Sequence, residues 1–99
     1  MTFRLYNKNY GLPHLMRCLG YKPIGTSDRG ELNCVRPLGG DYPRFHVYLK
    51  EEGGALTFNI HLDQKRPSYE GSHAHSGDYD SEIVRGEVER IKEEVFRQE

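Results

Sequence analysis

The chain has 99 residues and a mean hydropathy of −0.81, with 35% hydrophobic and 29% charged residues. This length leaves no room for a second hydrophobic core, so we expect a single domain over residues 1–99. No apolar run approaches the roughly eighteen residues that a membrane-spanning helix needs, which excludes an integral helical membrane protein. The net charge of −1 divides into a basic first half and an acidic second half, unlike the uniformly basic composition of a dedicated nucleic-acid-binding domain.

A short helix is predicted near the start of the chain. Its apolar residues recur at helical spacing and are Leu12, Leu15, Met16 and Leu19. Pro13 stands in the first turn and Gly20 follows the last apolar residue, which is the usual placement of proline and glycine at helix ends. After further Pro and Gly residues, Glu31–Arg36 is short and contains Cys and Val, so we expect a strand there.

The next two segments predict an antiparallel hairpin. Apolar and polar residues alternate over Arg44–Leu49 and over Leu56–Asp63, and a period of two is typical of strands with one buried face. Glu51–Gly54 is expected to form a four-residue hairpin loop. The favoured register pairs Leu49 with Leu56, which keeps apolar residues opposite apolar residues.

The last periodic segment predicts an amphipathic helix over residues 80–97. Its apolar stripe consists of Val84, Val88, Ile91 and Val95. Asp80 or Ser81 supplies the N-cap, and the stripe is suited to cover the apolar face of the hairpin. The predicted fold class is therefore a small α+β domain with an antiparallel sheet of about three strands, in the order α-β-β-β-α, and with the C-terminal helix packed on one face.

The segment between the hairpin and the last helix is the place where we expect chemistry. Gln64–Tyr79 shows no periodicity, and a loop of this length in a compact domain is usually functional or disordered. His73 and His75 are two residues apart, as are His61 and Asp63 at the end of the preceding strand, and such pairs project to the same side of extended backbone. This pattern predicts a divalent metal site formed by the three histidines, with Asp63 as fourth ligand or hydrogen-bonding partner. Zinc is the first expectation, and iron, manganese or nickel suit the same ligands.

His46 and Asp63 are the predicted catalytic residues. In the favoured register His46 lies opposite Asn59 and diagonal to His61, on the same solvated face. A neutral imidazole is well matched to moving a proton near pH 7, so His46 or Asp63 could be the general base for a metal-bound water. Basic and aromatic side chains around this site are the predicted substrate-binding residues, namely Arg44, Tyr48, Lys65, Arg66 and Tyr69.

The first functional hypothesis is therefore a small metal-dependent hydrolase, and three alternatives stay open. An RNA-binding or metal-free RNA-cleaving module would use the same His, Tyr and Arg face, with two imidazoles as acid and base. A non-catalytic interaction protein would use the acidic helix or a sheet edge. The histidines and serines of the loop could also form a polar network that only holds the loop on the sheet. An open face on so small a domain favours a partner or a homodimer, and Cys18 and Cys34, at no metal or redox spacing, favour a cytoplasmic location.

Overall fold

The structure, a computed structural model, describes residues 1–6, 11–64, 77–78 and 81–97. Its helices and strands follow one another along the chain as β1 (Thr2–Tyr6), α1 (Leu12–Cys18), β2 (Lys22–Thr26), β3 (Leu32–Pro37), β4 (Arg44–Glu52), β5 (Ala55–Asp63), β6 (Gly77–Asp78) and α2 (Glu82–Arg97). The five longer strands form one antiparallel sheet in the order β1-β5-β4-β3-β2, and the two-residue β6 pairs with the end of β5.

The predicted α+β class, with an antiparallel sheet and a C-terminal helix, is confirmed. The predicted number of strands, about three, and the order α-β-β-β-α are wrong, because β1 and β2 form the two ends of the five-strand order. β1 pairs with β5, which lies about fifty residues further along the chain, so no local turn signals its presence. β2 contains Pro23 and Gly25, with a register irregularity between them. Both residue types are depleted in strands, and proline is tolerated there mainly at sheet edges.

The turn between β4 and β5 consists of Gly53 and Gly54 alone. Their φ angles are +59° and +83°, and a two-residue turn of type I′ requires positive φ at both positions. This turn matches the right-handed twist of the flanking strands, so β4 continues to Glu52 and β5 begins at Ala55. The predicted four-residue loop over Glu51–Gly54 is therefore wrong.

The predicted register of this hairpin is wrong by two residues. Leu49 lies opposite Phe58 and not opposite Leu56. A shift of two preserves the face on which every side chain lies, which is why the apolar pattern alone could not exclude it. The same shift brings His46 directly opposite His61.

Both helices cover one face of the sheet. The buried apolar side chains of this core include Leu15, Met16 and Leu19 from α1, Val84, Val88, Ile91 and Val95 from α2, and Phe45, Val47, Leu49, Leu56, Phe58, Ile60 and Leu62 from β4 and β5. The apolar stripe predicted for α2 is thus confirmed, and each large side chain buried here contributes about 1.5–3 kcal/mol to folding. Ser81 caps α2, because its Oγ accepts a hydrogen bond of 3.3 Å from the Val84 N–H.

A left-handed glycine ends α1. Gly20 has a φ of +90°, and its N–H donates to the Arg17 carbonyl at 3.0 Å while the Tyr21 N–H donates to the Met16 carbonyl at 2.8 Å. This pair of hydrogen bonds is the Schellman arrangement, which satisfies the last carbonyl groups of a helix. It also directs Tyr21 into the core, where only 2% of its surface is exposed.

A buried carboxylate joins α2 to the rest of the fold. Glu87 is 4% exposed, and its oxygens accept hydrogen bonds from Tyr21 Oη at 2.6 Å, from Arg90 Nε at 2.7 Å and from Arg36 Nη1 at 3.3 Å. Arg90 Nη2 also donates to the Leu19 carbonyl at 2.8 Å. Burial, together with the charge of Glu87, raises the pKa of Tyr21, so its hydroxyl remains a donor at physiological pH. These bonds connect α2 to the end of α1 and to β3.

Candidate metal centre on the open sheet face

The face of the sheet that points away from the helices carries the polar side chains of β4 and β5. Because side chains alternate along a strand, the residues between the buried apolar positions share this face. The pairing of the two strands sets His46 opposite His61 and Arg44 opposite Asp63. The predicted position of His46 opposite Asn59 is therefore wrong, and the correct register brings the two imidazoles closer together than the sequence indicated.

The carboxylate of Asp63 lies at the centre of this group. Asp63 Oδ1 is 2.8 Å from His61 Nε2, and Oδ2 is 3.0 Å from His46 Nδ1. Oδ2 also accepts a hydrogen bond of 3.2 Å from Arg44 Nε. The two histidine side chains are about nine-tenths buried, at 12% and 10% exposure, whereas the Arg44 side chain is 24% exposed. One carboxylate thus connects three side chains that together form a half-buried polar cluster.

The two imidazoles are also held by ring contacts. Their ring centroids lie 4.8 Å apart with an interplanar angle of 39°, and Tyr48 stacks on His46 with centroids 4.7 Å apart and an angle of 21°. Tyr48 and His61 lie 6.1 Å apart. The rotamers of both histidines are therefore restricted by packing as well as by their bonds to Asp63, which is the preorganisation that a binding site needs.

Asn33, on β3, contacts the remaining ring nitrogen of His46. Its side-chain oxygen Oδ1 meets His46 Nε2, and with the amide in this orientation Nε2 is the donor, because an amide oxygen can only accept. In a neutral imidazole Nδ1 is then an acceptor, yet it faces Asp63 Oδ2, which is also an acceptor. With Asn33 in this orientation, the contact of 3.0 Å between Nδ1 and Oδ2 needs a proton on one of the two atoms or a cation between them.

The electrostatics of the cluster oppose a second ring proton. Burial is the main cause that lowers the pKa of His46, and the nearby charges of His61 and Arg44 lower it further, although Asp63 acts in the other direction. Burial alone would raise the pKa of Asp63, but the charges of the two histidines and the hydrogen bonds from Arg44 and His46 outweigh it, so this pKa lies below its usual value. The pKa values of His46 and Asp63 are thus both lowered, that of Asp63 in part by positive charge on the neighbouring histidines. A neutral His46 beside an ionised Asp63 is the protonation state that ligates a metal, and a bound cation would then replace the histidine charge that stabilises the carboxylate.

The spacing of the three side chains suits a transition metal. His46, His61 and Asp63 each offer one ligand atom, and these atoms all lie within 4.8 Å of one another. Ligands at about 2.0–2.1 Å from a tetrahedral zinc ion are separated from each other by about 3.3 Å. The contacts of 2.8 and 3.0 Å involve the two different oxygens of Asp63 and would have to lengthen by a few tenths of an ångström to admit an ion. Ligand atoms that now lie as far as 4.8 Å apart would have to approach one another by as much as about 1.5 Å.

The structure places some of the predicted site residues together and is silent on others. His61 and Asp63 lie side by side as the sequence pattern indicated, and Arg44 and Tyr48 adjoin them. The sequence predicts His46 as a proton-transfer residue, and its contact with Asp63 makes it a candidate ligand as well. The remaining predicted residues lie outside the described part of the chain: His73, His75, Lys65, Arg66 and Tyr69.

Asn33 is the one member of the cluster that the sequence did not indicate. It stands on the strand before the hairpin and opposite Tyr48, with no motif or spacing that connects it to a histidine. Only the pairing of β3 with β4 brings Asn33 next to His46. The sequence could have indicated this contact only if the register of these two strands were known.

Comparisons with known proteins identify no relative. No protein-family model, curated protein or solved structure matches the chain. Neither of the helices in the described residues is both long and apolar enough to cross a membrane.

Proposed function

We propose that this protein binds a divalent transition metal through His46, His61 and Asp63, with zinc as the first candidate. The observation that carries the proposal is the convergence of three ligand atoms of the right chemical type within 4.8 Å of one another. Two imidazoles and a carboxylate are a common set of protein ligands for zinc, iron or manganese.

The contact with Asn33 supports the same proposal. A metal-binding histidine usually donates its second ring N–H to a carbonyl or carboxylate oxygen, which fixes the tautomer and directs the lone pair at the metal. Asn33 Oδ1 stands in that position on Nε2 of His46, and the lone pair of Nδ1 then points towards Asp63. A cation between these atoms would remove the conflict between two acceptors.

Three protein ligands leave a position for water or substrate, so we propose hydrolysis as the reaction class. A bound divalent ion lowers the pKa of its water to about 7 and polarises an oxygen of the substrate. We retain His73 and His75 as proposed additional ligands, because the chain returns to β5 at Gly77, which pairs with Asp63 only two residues after His75. With both of them bound, a position for water would require a six-coordinate ion such as iron, manganese or nickel.

A second candidate function is metal-free acid–base catalysis, as in cleavage of RNA by its own 2′-hydroxyl. The observation in its favour is that both imidazoles already lie at hydrogen-bonding distance from Asp63 and 4.8 Å from each other. If the Asn33 amide were rotated so that its nitrogen donates to His46, no cation would be needed. Two histidines could then act as acid and base. Cleavage of an RNA oligonucleotide that persists in a chelator would favour this function over the first.

The test of metal binding is a titration of the tag-free, metal-free 99-residue chain with Zn²⁺ in a calorimeter. We expect one equivalent to bind with a Kd tighter than about 10 μM. His61→Gln should weaken binding by about 100-fold or more, because it removes a ligand. The matched control is His14→Gln, which changes a histidine on α1, away from the cluster, and should leave the Kd unchanged.

The titration can also refute the proposal. Binding weaker than about 10 μM, or an equal loss of affinity in the His61 and His14 variants, would show that the cluster holds no metal. A parallel titration of His75→Ala decides only whether that residue adds to the ligands, since the proposal rests on the three described side chains.

A further inference from the structure

Arg44 is a cation held in a fixed orientation beside the candidate metal centre. Its Nε donates to Asp63 Oδ2 at 3.2 Å, and its Cζ lies 4.7 Å from the centroid of the Tyr42 ring. Because Arg44 lies in β4 opposite Asp63, the sheet fixes the position of its Cα and Cβ atoms. The planar guanidinium is therefore stacked on an aromatic face and anchored by one nitrogen before any ligand arrives.

The two terminal nitrogens of Arg44 are available to bind a ligand. Neither Nη group makes a hydrogen bond or an ion pair within the part of the chain that the structure describes, although the side chain is 24% exposed. Arg90 is different, because its Nε and Nη2 are both engaged by Glu87. A guanidinium with its two Nη groups available in one plane is suited to bidentate recognition of an oxyanion.

The charges of the site indicate what kind of anion would bind. Arg44 and Asp63 cancel each other, so a divalent ion held with neutral histidines would leave an excess of about two positive charges on a half-buried surface. A dianion compensates this excess better than a singly charged carboxylate. A phosphoryl group also offers several oxygens, so that one can reach the metal while another accepts from the guanidinium.

We propose that Arg44 binds a phosphoryl oxyanion that also contacts the metal at His46, His61 and Asp63, which makes phosphate esters the substrate class of this site. The proposal rests on the metal-binding function proposed above. Arg44 would orient the phosphoryl group, and Tyr42 would hold the guanidinium plane in place. Its anchor on Asp63 would keep the bound oxyanion next to the ion.

The experiment follows inorganic phosphate binding to the Mn²⁺-loaded protein by ³¹P relaxation, with the Mn²⁺ affinity of each variant measured separately. We expect Arg44→Gln to weaken phosphate binding about tenfold or more and Arg44→Lys to weaken it less, because lysine keeps the charge but not the planar fork. Arg44→Gln should raise the Mn²⁺ affinity up to about threefold, since it releases Asp63 Oδ2 from an ion pair. The matched control is Arg4→Gln, an arginine that bonds Thr57 on the same sheet, with no expected effect on either affinity.

The outcomes separate this inference from the metal-binding proposal. If Mn²⁺ binds but phosphate does not, or if phosphate binds equally to the Arg44→Gln and wild-type proteins, the inference is wrong and metal binding stands. If acetate binds as tightly as phosphate, the inference is also wrong, because the site then recognises carboxylates. If no metal binds, the proposed function fails and the contact of the phosphoryl group with the metal fails with it. Recognition of phosphate by Arg44 then stands only if Arg44→Gln abolishes phosphate binding to the metal-free protein, and it is overturned if that binding does not depend on Arg44.

Discussion

Asn33 and Asp63 determine together what His46 can do. Asp63 faces one ring nitrogen of this histidine and Asn33 faces the other, so the tautomer is set by two residues on two different strands. The sequence could indicate Asp63, because His61 stands two positions before it on the same face. It could not indicate Asn33, since nothing in one sequence specifies which residue of β3 lies beside β4.

The role of Asn33 can be tested by removing its amide. We expect Asn33→Ala to weaken Zn²⁺ binding by about 10- to 100-fold, because the imidazole loses the partner that fixes its tautomer and orientation. Asn59→Ala is the matched control, since Asn59 lies on the same face opposite Tyr48 and makes no contact with His46 among those that define the cluster. Equal Kd values for the two variants in calorimetry would contradict this role.

The burial of His46 predicts how stability depends on pH in the metal-free protein. In the unfolded chain this imidazole takes up a proton near its ordinary pKa of 6.5, whereas burial lowers its pKa in the folded protein. The unfolded state therefore binds more protons below pH 6.5, and the free energy of unfolding falls as the pH decreases from there through the folded pKa.

Urea unfolding measured from about pH 8 down to about pH 5 checks this dependence. We expect the wild-type protein to lose stability across this range more steeply than His46→Gln, which has no proton to take up at that position. Parallel pH profiles for the two proteins would show that the folded environment does not lower this pKa.

At the scale of the elements, the turn between β4 and β5 decides where the site residues meet. The alternating pattern predicted both strands and the side of each residue, but a shift of two residues leaves that pattern intact. Only the length of the turn determines the register of this hairpin. The sequence does not specify that length, because two consecutive glycines can form a two-residue turn or belong to a longer loop. The edge strands were missed for a related reason: β2 carries Pro23 and Gly25, and β1 has its partner far along the sequence.

Two glycines should respond to alanine in opposite directions. Gly54 has a φ of +83°, so Gly54→Ala should destabilise the protein by about 1–2 kcal/mol through the strain of a left-handed conformation. Gly86 lies in α2 with nothing within 4 Å of an added Cβ, so Gly86→Ala should stabilise it by about 0.5–1 kcal/mol.

Urea unfolding of both variants provides the comparison for the hairpin. A Gly54→Ala protein that is as stable as the wild type would contradict the assignment of Gly54 to a type I′ turn, and a destabilised Gly86→Ala protein would contradict the prediction for α2. The Zn²⁺ affinity of the Gly86 variant serves as the control for the site, because α2 lies on the opposite face of the sheet and its helix content should not alter the cluster.

The molecule has two polar clusters, and they lie on opposite faces of one sheet. Glu87 joins α2 to the sheet on the helical face, with its carboxylate bound by Tyr21, Arg36 and Arg90. Asp63 organises the other face. The carboxylate of Glu87 accepts hydrogen bonds from all the donors that face it. The Asp63 group differs in two ways. Among the described residues, the Nη donors of Arg44 have no acceptor, and at His46 two acceptors face each other. We therefore interpret the first group as structural and the second as the functional site.

Removing the carboxylate of Glu87 should cost stability without changing the site. We expect Glu87→Gln to lower the free energy of unfolding by about 1–3 kcal/mol, because a neutral amide loses the charge-assisted bonds from Arg36 and Arg90, whose side chains are 31% and 33% exposed. Glu94→Gln breaks a surface pair with Arg97, whose side chain is 71% exposed, and should change stability by less than about 1 kcal/mol. Urea unfolding distinguishes them, and equal losses would contradict a structural role for Glu87.

The anomalous difference density of a crystal of the metal-loaded protein shows whether His46, His61 and Asp63 hold a metal ion. We predict a single strong peak enclosed by His46 Nδ1, His61 Nε2 and a carboxylate oxygen of Asp63, at about 2.0–2.2 Å from each. Well-ordered side chains with hydrogen-bonding distances between these atoms and no peak among them, in a crystal soaked with metal, would contradict the claim.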